Sequence, residues 1–271
     1  MAEGKLDTSK KVAHYLPELK DSGFGDATVR QVMNMTTALQ FSEDYANPKA
    51  EIWSYSAAAN PPANTLANIK GPVGYYQALA QIKKNGVHGD AFGYKTPNAD
   101  ALGWLVARAS GKPVQELLSD KVWRNIGMEQ SAYYSVDAYG VVFAGGGFNA
   151  GLRDMARLGE LIRSQGKWQG EQVLPAKAMQ DIATEGSKEA FARSPYTALK
   201  GWSYSNLWWH TGNEHGAFAA RGVHGQTIYI DPKAEMVLVR FASHPIAANG
   251  ANDPTSLPAY QAVAEYLLQK P

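Results

Sequence analysis

The feature that most constrains this fold is a change of hydrophobic period near Lys200. Before that point, apolar residues recur at the i, i+3, i+4 spacing of helices that bury one face. Asp26 followed by Val29, Val32, Met33 and Thr36 predicts a capped helix over about 27–39, and a second runs from Tyr75 to Lys84. Between them, 41–70 is a long excursion broken by Asn47-Pro48 and Asn60-Pro61-Pro62, with a turn of helix around 52–55. Loops of that length are usually functional. Thr96 suits an N-cap and Pro97 the first helical position, and Ala101, Leu102, Leu105, Val106 and Ala109 form a stripe ended by Gly111 and Pro113. Further helices are predicted over 114–123 and after Asn149, whose apolar face is Leu152, Met155, Leu158 and Ile162. Beyond Lys200 the runs 204–209, 217–220, 227–230 and 236–241 are short, β-branched or aromatic, and separated by turn residues, as antiparallel strands are. Ser256 and Pro258 open a last helix whose Val263 and Leu267 would close over the strands. The order is helices, strands, one helix, with no internal repeat. It predicts an α/β fold of the α+β type, mainly helical over about 26–185, with the strands and final helix over about 200–271.

Composition narrows the function. The 271 residues are 45% apolar and 19% charged, so a full core is available. Lys and Arg (26) balance Asp and Glu (25), which gives no electrostatic support for nucleic-acid binding. There is no Cys, so the chemistry rests on oxygen and nitrogen groups. Residues 1–7 lack the apolar stretch of an export signal, and the uncharged run 138–151 is too short to span a bilayer, so the expected location is cytoplasmic, away from membranes. None of the six His forms a His-Glu-x-x-His or similar metal pattern. Gly145-Gly146-Gly147 lacks the Lys-Ser/Thr of a phosphate loop and reads as a tight backbone crossing. No metal, nucleotide or other cofactor is expected.

Tyr94, followed by Lys95 at the mouth of a helix, could move protons if a cation lowered its pKa; a half-buried packing ring is the competing reading. The surrounding motifs supply context. Thr28-Val29-Arg30-Gln31-Val32-Met33, Phe41-Ser42-Glu43-Asp44-Tyr45, Tyr94-Lys95-Thr96-Pro97-Asn98 and Leu102-Gly103-Trp104 occur in that order. They are followed by Ala144 to Asp154, Gly201-Trp202 with Trp208-Trp209, and Gly222 to Pro232. The ordered set resembles the serine beta-lactamase superfamily of penicillin-recognising enzymes over nearly the whole chain, and within it the branch that hydrolyses nylon oligomers, with its carboxylesterase-like relatives.

That resemblance implies one beta-lactamase-like catalytic domain, an antiparallel sheet flanked by helices plus a helical region, and acyl transfer to the Ser of a Ser-x-x-Lys helix. It implies that Tyr94 is the second-motif tyrosine that moves protons. The backbone N–H of Val223, on the third-motif strand, completes the oxyanion hole, and Tyr45, Trp209 and His224 are on the substrate side. Ala220-Arg221-Gly222 stands where Lys-Thr-Gly is common, which lowers a beta-lactam substrate relative to a linear amide or ester. Arg221 reads either as a partner for a substrate carboxylate or as a solvated surface residue. The family's Ser-x-x-Lys precedes all these motifs, whereas the only such string here is Ser164-Gln165-Gly166-Lys167, after the second motif and in a turn context. The expectation is therefore an N-terminally truncated hydrolase, inactive alone, with an exposed strand edge or apolar surface and a small-molecule amide or ester as substrate. A homodimer is one possible assembly. A non-catalytic protein that keeps the cleft as a binding surface is the other class.

Overall fold

The computed structural model describes residues 3–59 and 71–270, and the chain divides into two compact units: Glu3–Leu117 with Ala132–Asn149, and Leu118–Ser131 with Ala150–Pro271. The first unit is built on short helices: α1 (Val12–Tyr15), α2 (Val29–Met33), α3 (Glu51–Ala59), α4 (Tyr75–Gln81) and α5 (Thr96–Ser110), with α6 (Val114–Lys121) following. Leu16, Leu19, Phe24, Val29, Val32, Leu79 and Leu105 are fully buried in one core. Strands β1 (Tyr133–Tyr134) and β2 (Phe148–Asn149) pair antiparallel beside it.

Several boundaries differ from those predicted. Helix α2 is capped by Thr28, not Asp26, through a capping box in which the Thr28 hydroxyl accepts from Gln31 N–H and the Gln31 side chain accepts from Thr28 N–H. It stops at Met33 because Met35 turns into the left-handed region at φ 49°. Helix α3 is nine residues long where a single turn was expected, and Asn60-Pro61-Pro62 lies outside the described residues. Helix α5 ends as predicted on Gly111 at φ 72°, but Lys95, not Thr96, is its N-cap, and the Lys95 side chain makes no cap hydrogen bond.

The second unit carries a five-stranded antiparallel sheet in sequential order: β5 (Ser203–Ser205), β6 (Trp208–His210), β7 (Phe218–Arg221), β8 (Thr227–Asp231) and β9 (Met236–Arg240). The run 204–209, expected as one strand, is a hairpin, because Asn206 (φ 51°) and Leu207 (φ 69°) form a left-handed two-residue turn between β5 and β6. Alternation on β8 sends Ile228 and Ile230 to one face and Tyr229 to the other. The isoleucine face packs on α7 (Leu152–Arg163) and α8 (Ala176–Ala183). Helix α7 is capped by Gly151 where Asn149 was expected; Asn149 is engaged in β2. The two-residue strands β3 (Lys167–Trp168) and β4 (Glu171–Gln172) follow it, and α9 (Lys188–Ala192) packs on β5.

The Tyr229 face packs on α10 (Asp253–Leu268) through Tyr260 and Ala264. This corrects the predicted register of the last helix. Leu257, Tyr260 and Ala264 face the sheet, while Val263 and Leu267 form a second apolar stripe that is exposed. Both stripes have helical spacing, and packing selects the one with small Ala264 at the contact. No helix among the described residues is long and apolar enough to cross a membrane.

Candidate active site

Tyr94 is half-buried in an extended segment immediately before α5. Lys95 has no acceptor with which to cap the helix, so the need falls on another part of the chain. Glu43 meets it: its carboxylate accepts the Thr96 N–H at the start of α5. On the same loop, burial together with the Glu43 charge pushes the Tyr45 phenol up to about 12. Lys95 Nζ donates to the Thr37 carbonyl at 3.3 Å, and the Thr37 hydroxyl donates to Asn98 Oδ1 at 2.7 Å. Burial lowers the Lys95 pKa against the opposing pull of Glu43, and burial raises that of Glu43. The loop that carries Glu43 and Tyr45 is thus tied to the Tyr94 segment through the Glu43–Thr96 bond.

One turn into α5, Asp100 is buried and accepts from the Tyr55 hydroxyl at 2.7 Å and the Gly145 N–H at 2.9 Å. Desolvation outweighs these donors and lifts its pKa to about 7. Gly145 crosses so close to α5 that a Cβ on it would lie 2.5 Å from Thr96 Cγ2. Gly145 is therefore the floor on which the start of this helix rests. Spacing rules could not have found Glu43, whose partner is 53 residues away.

In the sheet unit, Val223 lies beyond the third-motif strand, because β7 ends at Arg221 and residues Val223–Gly225 form a single 3₁₀ turn. Gly222 N–H donates to the Gln226 carbonyl at 2.9 Å, which closes the turn, and His224 adopts φ 60°. The turn is held from outside. His224 N–H donates to Ala247 O (3.0 Å), His244 N–H to His224 O (3.1 Å), and Asn249 Nδ2 to Gly222 O (3.0 Å). His224 Nδ1 is 2.7 Å from the His244 carbonyl, which can only accept, so Nδ1 carries the proton. Val223 is exposed, and its N–H meets no acceptor among the described residues. A fixed, unpaired donor of this kind can receive developing negative charge without reorganising.

Arg221 is neither solvated nor open to a ligand carboxylate. Its side chain is only 7% exposed, is ion-paired with Asp253, and lies 5.5 Å from the ring centre of Trp202 and 5.1 Å from that of Trp209. Trp209 is buried, paired with Ala219 across β6 and β7 and edge-packed on Phe191, Tyr196 and Tyr204. Tyr45 and Tyr94 thus belong to one compact unit and Trp209, Arg221, Val223 and His224 to the other.

Neither of two possible substitute nucleophiles has a suitable geometry. Ser164 caps the end of α7, its hydroxyl donating to Glu160 at 2.8 Å, and Lys167 has already entered β3 beyond Gly166 at φ 77°. Ser205 Oγ is 3.0 Å from His210 Nε2 in the buried hairpin, which resembles a nucleophile–base contact. Its proton, however, goes to the Thr184 carbonyl, so His210 is the donor in the pair. Burial pushes His210 down to about 4, which makes it a poor base at neutral pH.

With this geometry established, comparison with known proteins defines the class. The beta-lactamase family model matches residues 1–257, and the chain belongs to that family. Among individual relatives, the 6-aminohexanoate-dimer hydrolase of Paenarthrobacter ureafaciens is 32% identical over 244 residues, 90% of this chain and 61% of that protein. The chain therefore spans less than two thirds of that relative's length. A solved structure from Bacillus anthracis, assigned as a 6-aminohexanoate-dimer hydrolase, superposes with a TM-score of 0.85 at 34% identity, covering 100% of this chain and 69% of the other. EstCE1, a hydrolase with promiscuous acyltransferase activity, shares the fold at a TM-score of 0.69 and 16% identity, over 92% of this chain and 76% of its own.

Proposed function

We propose that this chain carries the proton-transfer and oxyanion parts of a serine hydrolase that cleaves linear amides such as aminohexanoate oligomers, or small esters, through an acyl-enzyme. The similarity to 6-aminohexanoate-dimer hydrolase over 90% of the chain is the observation that carries this reading. In the proposed reaction the serine oxygen of a Ser-x-x-Lys motif attacks the carbonyl carbon, and its proton passes to that motif's lysine and Tyr94. Charge develops on the carbonyl oxygen, which the Val223 N–H receives. Collapse expels the amine or alcohol, which takes its proton back from Tyr94, and water repeats the sequence on the acyl-enzyme. Tyr45, Trp209 and His224 are assigned to the substrate side, Trp209 as part of an aromatic wall that Arg221 stiffens by cation–π contact.

Residues 1–271 hold no Ser-x-x-Lys ahead of Tyr94, and Ser164 and Ser205 are ill-placed as replacements. The chain by itself is therefore proposed to bind substrate without turning it over. Purified protein should hydrolyse neither a short-chain p-nitrophenyl ester nor 6-aminohexanoate dimer, and intact mass should show no adduct with an active-site phosphonate. The dimer should still shift NMR signals of Tyr45, Tyr94 and Trp209. Turnover with an adduct mapped to a serine would overturn the missing-nucleophile reading, and the absence of any ligand-induced shift would overturn the substrate class.

A further inference from the structure

We propose that Glu43 is the positioning residue of the proton-transfer tyrosine, tying the Tyr45 loop to the start of α5 so that the Tyr94–Lys95 backbone is held in one place. The assignment of Tyr94 rests on the functional reading above; the role of Glu43 rests on geometry. Helix α5 begins with an N-cap that cannot cap, because the Lys95 side chain offers only donors, and the next residue after Thr96 is Pro97, which has no N–H. The exposed need at this end of the helix is the Thr96 N–H, and the Glu43 carboxylate takes it from outside the helix. A carboxylate at this position also lies at the positive end of the helix dipole.

Tyr45, two residues after Glu43, faces the Glu43 charge from the same loop. A further contact fixes the loop itself. Ser42 N–H donates to Glu51 Oε2 at 3.0 Å, which anchors the same loop to α3. The ammonium of Lys95 folds back over the chain, 3.3 Å from where a Cβ on Gly93 would lie, and 3.3 Å from the Thr37 carbonyl. Tyr94 is thus flanked by Gly93 and Lys95, both pinned, and Glu43 supplies the negative charge that Lys95 faces. The titratable groups that face Glu43 are Lys95, Tyr45 and Asp100, and those that face Lys95 are Glu43 and His88.

The test requires no turnover, so its failure is separable from failure of the hydrolase reading. Thr96 amide exchange, the Tyr94 ring signals and the Lys95 Cε titration would be followed by NMR in wild type, Glu43→Gln and Glu43→Ala. Glu43→Gln keeps an oxygen acceptor but removes the charge. It should leave the Thr96 amide protected while the Lys95 midpoint falls by about one pH unit, at the low end of what a nearby opposite charge supplies. Glu43→Ala should also deprotect Thr96 and move the Tyr94 ring signals. A Lys95 midpoint unchanged in Glu43→Gln would overturn the electrostatic half of the proposal. Tyr94 signals that stay in place when Glu43→Ala has freed Thr96 would overturn the positioning half. If Glu43→Ala does not fold, the Glu43→Gln titration still decides the first half. For the second, a Tyr94 ring position that follows the Glu43 protonation seen in wild type supports the proposal, and one indifferent to it overturns it.

Discussion

Asp100 shows how one buried side chain links the candidate site to stability. Its carboxyl is raised from 3.8 to about 7 by burial, so the folded state holds this proton more tightly than the unfolded state. The stabilisation is complete below pH 3.8 and is lost as pH rises through about 7. His210 has the opposite sign. Its folded value of about 4 lies below the ordinary 6.5, so its stabilisation is present above pH 6.5 and is lost as pH falls toward 4. In the wild type the two slopes oppose each other. Asp100→Asn should remove one of them, so that the variant's Tm rises from pH 4 to 6.5 and the difference, variant minus wild type, grows over the same range. Parallel Tm curves in differential scanning calorimetry would show that Asp100 does not titrate across folding. At this scale the sequence revealed Tyr94 at the mouth of a helix but not Asp100 or Glu43. Their environments are made by Gly145 and Thr96, each more than 40 residues away.

At the scale of elements, stop signals were legible and packing choices were not. Gly111 and Pro113 end α5 by local chemistry that the sequence displays. The hairpin between β5 and β6 was missed because Asn206-Leu207 lacks the glycine that usually marks such a turn. The register of α10 was missed because two of its faces are apolar, and only the sheet decides between them. Gly159 makes the same point inside α7. In the sequence it is a helix-weakening residue, worth about 1 kcal/mol against Ala. In the fold, a Cβ there would lie 2.6 Å from Val237 Cγ1 and 3.2 Å from Ile228 Cγ2, so the missing side chain is what lets α7 settle onto β8 and β9. Overpacking typically costs about 1–3 kcal/mol, which outweighs the gain in propensity. Gly159→Ala should therefore destabilise the protein by about 1 kcal/mol in urea denaturation. A gain in stability would mean that the helix shifts freely on the sheet.

At the scale of the whole molecule, the two edges of the five-stranded sheet differ in how they are covered. β5, at one edge of the sheet, is buried and packed by α9, with Ser203 Oγ accepting from Gly186 N–H and Ser205 Oγ donating to Thr184 O. At the opposite edge, β9 pairs with β8 alone among the described residues. Unpaired edges recruit other chains unless charge or proline blunts them, and Met236-Val237-Leu238-Val239-Arg240 has one charge and no proline. Val263 (43% exposed), Tyr266 (59%) and Leu267 (36%) extend the liability along the outer stripe of α10. Net charge of +1 provides little long-range repulsion near neutral pH. The protein should therefore self-associate with rising concentration at pH 7.5, close to its sequence pI of about 7.8, and less so at pH 5, where its net charge is higher. Sedimentation velocity would read both effects. Val263→Lys with Tyr266→Lys should suppress association while changing stability little, since both side chains are exposed. A wild type that stays monomeric at every concentration would remove the exposed stripe as an interaction surface. Association that survives both lysines would instead assign it to the open edge of β9.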